Sequence, residues 1–380
     1  MRHPKLRVDL SGIRGLKPPY LLICNHMSNM DFQVCAFTLF PRKIHFVAAA
    51  SFFLMPKLQW ALKAVGAISK VQFQPDVGAI KNMIAALRNG GIVALYPEGQ
   101  VATEGHTTYI NPAVGKLVKT FKVPVVLAHV NGTFNVYPKW RQENLTKGPI
   151  HYRLSLLFDQ EEINTLSAEE ITRRLMENMQ YHDPVWAKEH GYIYKGKNPA
   201  HGLQNVLYQC PKCKGEATMQ PQGDRLTCES CGNGVRLDEH RMLQPVDEKS
   251  VLFPTIHDWC CWQRENIRLR FEGDPDYAME SPVVFQMAEM GVNGYSVKGK
   301  GTLTYRREGI YYEGTCDGER VAYYFPQTAL EGLPFMPGDC FEVGYQKEIY
   351  CFRPEVLPMV QKWVSTCDVL RDMAIANGER

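Results

Sequence analysis

Two apolar runs that each stop abruptly at a polar turn constrain this chain more than any other feature of its 380 residues. Tyr20-Leu21-Leu22-Ile23-Cys24 passes through Asn25 into His26-Met27-Ser28-Asn29-Met30-Asp31, and Ile92-Val93-Ala94-Leu95 passes into Tyr96-Pro97-Glu98-Gly99. A short, unbroken apolar run bounded by turn residues reads as a strand buried on both faces, the mark of a sheet covered by helices. Function in such sheets gathers where the strands end. A histidine separated by four residues from an aspartate can be held by it as a general base. A Pro-Glu-Gly turn nearby can hold a substrate hydroxyl. Together the two turns point to acyl transfer.

In this order, with Glu98 following Asp31 by 67 positions, the chain resembles the glycerolipid acyltransferase family, the lysophosphatidic acid acyltransferases and their relatives. That family carries Asn-His-x4-Asp and then Pro-Glu-Gly, and the resemblance covers roughly residues 10–160. His26 is the candidate base and Asp31 the group that fixes its tautomer, which is the logic of a Ser-His-Asp triad with the substrate hydroxyl in place of Ser. Asn25 either supports this loop or donates to an oxyanion, and Ser28 caps a turn. The resemblance implies that Glu98 and the Gly99 backbone orient the acceptor. It also implies a thioester donor, acyl-CoA or acyl-carrier protein, and a lysophospholipid or related lipid acceptor at a membrane surface.

The chain departs from the family at the acceptor side. Relatives acting on phosphate-bearing acceptors read Glu-Gly-Thr-Arg where this chain reads Glu98-Gly99-Gln100-Val101. The family's second Arg falls in the stretch from Gly66 to Gln72, where Lys70 is the available cation, without the bidentate fork of Arg. His106, Lys116 and Lys119 are further cations that can compensate.

The alternation of apolar runs and amphipathic stretches predicts an α/β fold for 1–181, a glycerolipid-acyltransferase-like sheet flanked by helices. Strands are expected at 20–24, 44–49, 92–96, 123–129 and 150–158. Asp76 is expected to cap a helix carrying Val77, Ile80, Ile84 and Leu87, stopped by Gly90, and Ser167 with Glu170 to open a helix to about 181. Residues 182–204 read as an irregular connection. The apolar, aromatic stretch from Phe52 to Lys63 reads either as a membrane-interface segment, with Lys57 and Lys63 reaching toward head groups, or as a helix packed on the sheet.

Cys210-Pro211-Lys212-Cys213 and Cys228-Glu229-Ser230-Cys231 form two knuckles that close a tetrahedron around one Zn²⁺. Four thiolates leave no open position, so a structural zinc ribbon is expected at 205–242. Local charge around it is acidic, which argues against a nucleic-acid partner. Residues 250–380 are expected to form a β-rich domain ending in a helix that bears Met359, Trp363, Cys367 and Leu370. The order of several antiparallel strands and then one helix suits a pleckstrin-homology-like barrel.

Charge is divided unevenly. Residues 1–150 hold 18 Lys and Arg against 6 Asp and Glu, and the remainder holds 25 against 34. A basic catalytic half suits anionic lipid, coenzyme A or an acidic carrier protein. No run is apolar enough to span a bilayer and no signal peptide is evident, so the expected location is cytoplasmic and peripheral to the inner face of the membrane, unless an upstream anchor exists. A second reading from another class is a zinc-ribbon binding or regulatory protein whose acyltransferase-like domain is non-catalytic.

Overall fold

The computed structural model describes residues 5–141 and 145–378. Its first half is a seven-stranded sheet built from β1 (Leu6–Gly12), β2 (Tyr20–Cys24), β3 (Ile44–Ala49), β4 (Ile68–Lys70), β5 (Ile92–Leu95), β6 (Val125–Asn131) and β7 (Ile150–Phe158). The strand order is β1-β7-β6-β2-β5-β3-β4. Neighbours run parallel except β6 and β7, which pair antiparallel. All five strands expected from sequence are present. The two that were not expected are the edges. β1 is mostly exposed and interrupted by Asp9, and β4 has three residues, so neither shows an apolar run.

β2 is buried at every residue, as are all four residues of β5, because helices cover both faces of the sheet. These are α1 (Asp31–Leu39), α2 (Ala50–Leu54), α3 (Pro56–Ala64), α4 (Val77–Arg88), α5 (Val114–Phe121), α6 (Thr133–Val136), α7 (Gln160–Thr165), α8 (Ala168–Met179) and α9 (Asp183–Glu189). The Asp76 carboxylate caps α4 by accepting from the Ala79 N–H, and Gly90 beyond its end has φ +76°. Ser167 caps α8 in the same way through Glu170 N–H. The stretch 182–204, expected to be irregular, contains α9. Its Asp183-Pro184 start, with Pro in the first turn, is an ordinary helix opening.

α3 has no buried residue, and Trp60 on it is 71% exposed. The segment therefore does not use an apolar face to pack on the sheet.

The ribbon contributes β8 (Met219–Gln222), β9 (Arg225–Cys228), β10 (Gly234–Leu237) and β11 (Leu243–Pro245), an antiparallel sheet. An 18-residue helix, α10 (Ile256–Gly273), follows and packs on it. Trp259 Nε1–H donates to Gln209 O at 2.9 Å and Gln263 Oε1 accepts from Gln209 N–H at 3.0 Å, which joins the helix to the residue before Cys210.

The last region is an antiparallel seven-stranded sheet of β12 (Met279–Ala288), β13 (Tyr295–Arg306), β14 (Gly309–Cys316), β15 (Glu319–Pro326), β16 (Phe335–Met336), β17 (Cys340–Tyr345) and β18 (Glu348–Pro354), closed by α11 (Val360–Ala376). A meander β12–β15 and a meander β16–β18 meet through β12 and β18. Its core is aromatic: Phe285, Tyr305, Tyr312, Phe325, Phe341, Phe352 and Trp363 are buried together.

This β-rich region lies against the first sheet and its loops. Gln74 Nε2–H donates to Ala329 O at 3.0 Å and Asn111 Nδ2–H to Glu331 Oε2 at 3.0 Å. The Lys139 ammonium sits 4.2 Å from the Phe335 ring centroid. The contact falls beside the Glu98 turn.

Candidate active site

β2 and β5 are parallel neighbours, so their carboxyl ends bring the His26 loop and the Glu98 turn together on one edge. His26 Nδ1 lies 3.1 Å from Asp31 Oδ2. A carboxylate only accepts, so Nδ1 carries the proton and Nε2 keeps the lone pair of a base. The side chain is 18% exposed, while Asp31 is completely buried. Tyr96 packs its ring 4.2 Å from the imidazole.

Asp31 is itself held in place. Its Oδ2 also accepts from Ser28 N–H at 2.8 Å, and Oδ1 accepts from the Thr133 hydroxyl at 2.6 Å. Two more groups fix the loop. Asn25 Oδ1 accepts from Val130 N–H at 2.8 Å while its Nδ2–H donates to Val130 O, so both ends of the amide are engaged in tying the loop to β6. That geometry favours the supporting role over oxyanion donation. Ser28 Oγ–H donates to Tyr137 O at 2.6 Å, a structural contact.

Glu98 is buried and bridges the two motifs. Its Oε1 accepts from the His26 backbone N–H at 2.9 Å, and its Oε2 accepts from the Thr108 N–H and hydroxyl at 2.9 and 3.0 Å. Burial pushes its carboxyl up to about 7 even against these three donors. In this arrangement Glu98 positions the His26 loop. Gly99 has φ +73°, and a Cβ there would come within 2.9 Å of the Phe73 ring, so the turn requires glycine. Gln72, at the place of the family's second Arg, donates from Nε2 to Gly99 O at 2.5 Å.

The remaining cations stand elsewhere. Lys70 Nζ donates to the carbonyls of Val71 and Gln74, each at 2.9 Å, which keeps it on its own loop. Lys119 Nζ donates to the carbonyls of Ile163 in α7 and Leu166 at its end. Val101 is buried. His106 faces α10.

Sequence reasoning missed Thr133 and Asp183. Asp183, fully buried, accepts from Gly132 N–H at 2.7 Å, Phe134 N–H at 2.9 Å and the Tyr181 hydroxyl at 2.7 Å, which shapes the turn that carries Thr133 to Asp31. Burial raises its carboxyl to about 7. The Asp-Pro helix start was the local signal for it.

Cys210, Cys213, Cys228 and Cys231 converge, with their sulfurs all within 4.8 Å of one another. The Cys210–Cys231 and Cys213–Cys228 separations are both 3.7 Å. A disulfide needs about 2.05 Å, whereas a tetrahedral metal with ~2.3 Å bonds to sulfur sets its ligands about 3.8 Å apart. The cluster therefore fits a metal ion.

With the geometry in place, comparisons with known proteins bear on the same region. A family model described as Acyltransferase matches residues 7–129. A chloroplastic 1-acyl-sn-glycerol-3-phosphate acyltransferase, BAT2 of Brassica napus, is 23% identical over 155 residues, covering 39% of this chain and 44% of its own length. The chain thus spans less than half of that curated relative. The crystal structure of the 1-acyl-sn-glycerophosphate (LPA) acyltransferase PlsC from Thermotoga maritima is similar at 21% identity and a TM-score of 0.40, covering 46% of this chain and 69% of that one. The acyltransferase match encloses His26, Asp31, Glu98 and Gly99, and it stops well before the four-cysteine cluster.

Proposed function

We propose that the chain is an O-acyltransferase that moves a fatty acyl group from an acyl-CoA or acyl-carrier-protein thioester to the hydroxyl of a lysophospholipid or related lipid. The observation that carries this reading is the His26–Asp31 pair on the edge shared with the Glu98 turn, inside the segment that matches the acyltransferase family model.

His26 Nε2 takes the proton of the acceptor hydroxyl as its oxygen attacks the thioester carbonyl. Asp31 holds Nδ1–H and stabilises the imidazolium that forms. Collapse of the tetrahedral intermediate expels the thiolate, which takes from His26 the proton that the acceptor hydroxyl gave up. Glu98 keeps the loop in register from below. The acceptor enters beside Gly99, where Phe73 and the Gly332 segment of the β-rich region bound the site. A Cβ on Gly332 would approach Phe73 to 3.0 Å.

The substituted clamp sets the acceptor. With Val101 buried, and Gln72 and Lys70 both engaged with backbone carbonyls, the acceptor is recognised without the family's paired arginines. The same substitutions favour the alternative, a non-catalytic binding or regulatory protein.

The protein works at a membrane surface in this reading. Phe37, Phe40 and Trp60 are 77%, 81% and 71% exposed, and Arg42, Lys43, Lys57 and Lys63 flank them in sequence. Aromatic side chains with basic neighbours suit the anionic headgroup region. Among the described residues no helix is long and apolar enough to cross a membrane. The four cysteines hold one structural Zn²⁺, and the two-meander sheet with its closing helix acts as a pleckstrin-homology-like partner of the catalytic sheet.

The test is thiol release from a panel of acyl-CoAs and acyl-carrier proteins, with lysophospholipids that carry or lack a phosphomonoester. Acceptor-dependent release is expected. No release with any donor would favour the binding-protein alternative.

A further inference from the structure

A second histidine–carboxylate pair lies on the opposite side of the loop that leaves the Glu98 turn. That loop is closed at its base by the bond between Glu98 and Thr108, and Ala102 N–H within it donates to His26 O at 2.8 Å. It then places Glu104 against α10. Glu104 Oε2 lies 2.8 Å from His257 Nδ1 and 3.0 Å from Arg264 Nη2, and Oε1 accepts from Arg264 Nη1. One turn further along α10, Cys261 Sγ lies 3.5 Å from His257 Nε2 and 3.3 Å from Arg264 Nη2. The Cys261 residue is exposed, whereas Glu104 is buried.

Both His257 nitrogens therefore face acceptors, a carboxylate and a sulfur, which the doubly protonated ring satisfies. Burial opposes that charge, but hydrogen bonds to Cys261 and Glu104 raise His257 to about 9. The bond to His257, with Arg264 beside it, holds the Cys261 thiol below the usual range. Burial alone would raise Glu104; Arg264 and His257 overcome it and depress the carboxyl to about 2. The other groups facing the cluster are His106, stacked 4.0 Å from His257, and His182, whose ring centroid is 5.8 Å from that of His257. Burial and the neighbouring imidazoles lower both, so they stay neutral near pH 7. Asp258 acts on His182, Asp368 of α11 acts on Arg264, and buried Cys260, its thiol raised by burial, faces Glu104 and Arg264. The arrangement has the three parts of an activated nucleophile: a sulfur, a cationic ring against it, and a carboxylate that orients the ring.

We infer that Cys261, with His257 and Glu104, is a second nucleophilic centre that accepts acyl groups from thioesters and becomes S-acylated. The Cys261 thiolate attacks the thioester carbonyl, a new S–C bond forms and the donor S–C bond breaks. The departing thiolate takes the proton from His257. No oxidant or reductant is involved, and the product is an exposed thioester on α10. The identity of the donor rests on the acyltransferase reading, whereas the reactivity of the thiolate does not. The attacking sulfur belongs to the chain, so this chemistry is distinct from hydroxyl acylation at His26.

The full-length protein is incubated with octanoyl-CoA without acceptor and mapped by peptide mass spectrometry. In parallel it is treated with iodoacetamide between pH 6 and 8, with the half-buried Cys316 as internal reference. An octanoyl adduct is expected on Cys261, removed by neutral hydroxylamine and lowered at least tenfold in H257N. Alkylation of Cys261 is expected to exceed that of Cys316 at pH 6, and to rise less steeply than that of Cys316 up to pH 8. An ordinary thiol would gain about tenfold per pH unit over that range. Alkylation of Cys261 no faster than Cys316 overturns the inference without touching the acyltransferase reading. Fast alkylation with no octanoyl adduct overturns the thioester assignment. Both comparisons use the wild-type protein, so they stand if a variant fails to fold.

Discussion

Among the described residues two histidines sit on buried carboxylates, and the two pairs are built in different ways. His26 and Asp31 belong to one short loop between β2 and α1. Besides His26, their carboxylate is held by Ser28 N–H and the Thr133 hydroxyl, neutral donors, and among the described residues no Lys or Arg is bonded to it. His257 and Glu104 come from segments 153 residues apart, and Arg264 supplies two bonds to the same carboxylate. The first pair turns Nδ1 of its imidazole to the carboxylate and has no cation other than the imidazole beside that carboxylate among the described residues. The second keeps its imidazole charged and hands that charge to a sulfur. In the proposed chemistry the neutral cradle serves a base and the cationic one a thiolate.

The largest expected effect separates the two pairs by their supports. α10 is anchored on the residue before Cys210, while β2 and β5 are anchored in the sheet core. With zinc in the four-cysteine cluster as proposed, a chelator is expected to raise hydrogen exchange through the ribbon and α10 and leave β2 and β5 protected, since structural zinc sites contribute folding energy directly. Equal loss in both regions would show that the pairs share one support.

Replacing His26 by Ala is expected to lower kcat/KM for acyl transfer by about 10³-fold, within the range for loss of a general base. The Tm should hold, because the ring is partly exposed. A loss of only a few fold would remove His26 from the chemistry.

The Glu104 clamp should be visible as stability. A carboxyl depressed to about 2 contributes fully above its ordinary value near 4.5 and loses that contribution as pH falls toward 2. At pH 7 the contribution is on the order of 3 kcal/mol. Urea unfolding of E104Q against wild type is therefore expected to show a gap that is widest between about pH 5 and 6.5, narrows below about pH 4.5, and narrows again as pH rises from about 6.5 toward 9, where His257, raised to about 9 partly by Glu104, loses its proton. A gap that does not change with pH would mean that the Arg264 and His257 contacts add nothing to stability.

The smallest effect is expected at Thr133. Replacing Thr133 by Val removes one hydrogen bond to a carboxylate, worth about 1.5–3 kcal/mol at most. With two other donors remaining on Asp31, kcat should fall by about five- to tenfold with KM unchanged. A change confined to KM would place Thr133 at the substrate and not behind Asp31.

What the sequence showed follows the same division. The His26 loop and the Glu98 turn were legible because each follows an apolar strand and the residues lie within a few positions of one another. The knuckles at 210–213 and 228–231 were legible for the same reason. Thr133, Asp183, and the meeting of Glu104 with His257 were not, because they depend on which strands become neighbours and on where α10 lands. Tertiary packing also decided Lys70: its sequence position suggested a cation for the acceptor, but burial in its own loop gave the ammonium two carbonyls instead. Helix α9 and the capping box of Asp159 with Glu162 that opens α7 are local features that went unpredicted.

The measurement that tests the division most directly follows both products in one reaction, with wild type and H26A supplied with octanoyl-CoA and a lysophospholipid. Mass spectrometry of lipid and protein then reports the ester and the Cys261 adduct together. The account predicts that H26A loses the lipid ester by about three orders of magnitude, the scale of a lost general base, and retains the Cys261 adduct. Ester formation at the wild-type rate in H26A would contradict it, as would loss of both products together in a folded variant.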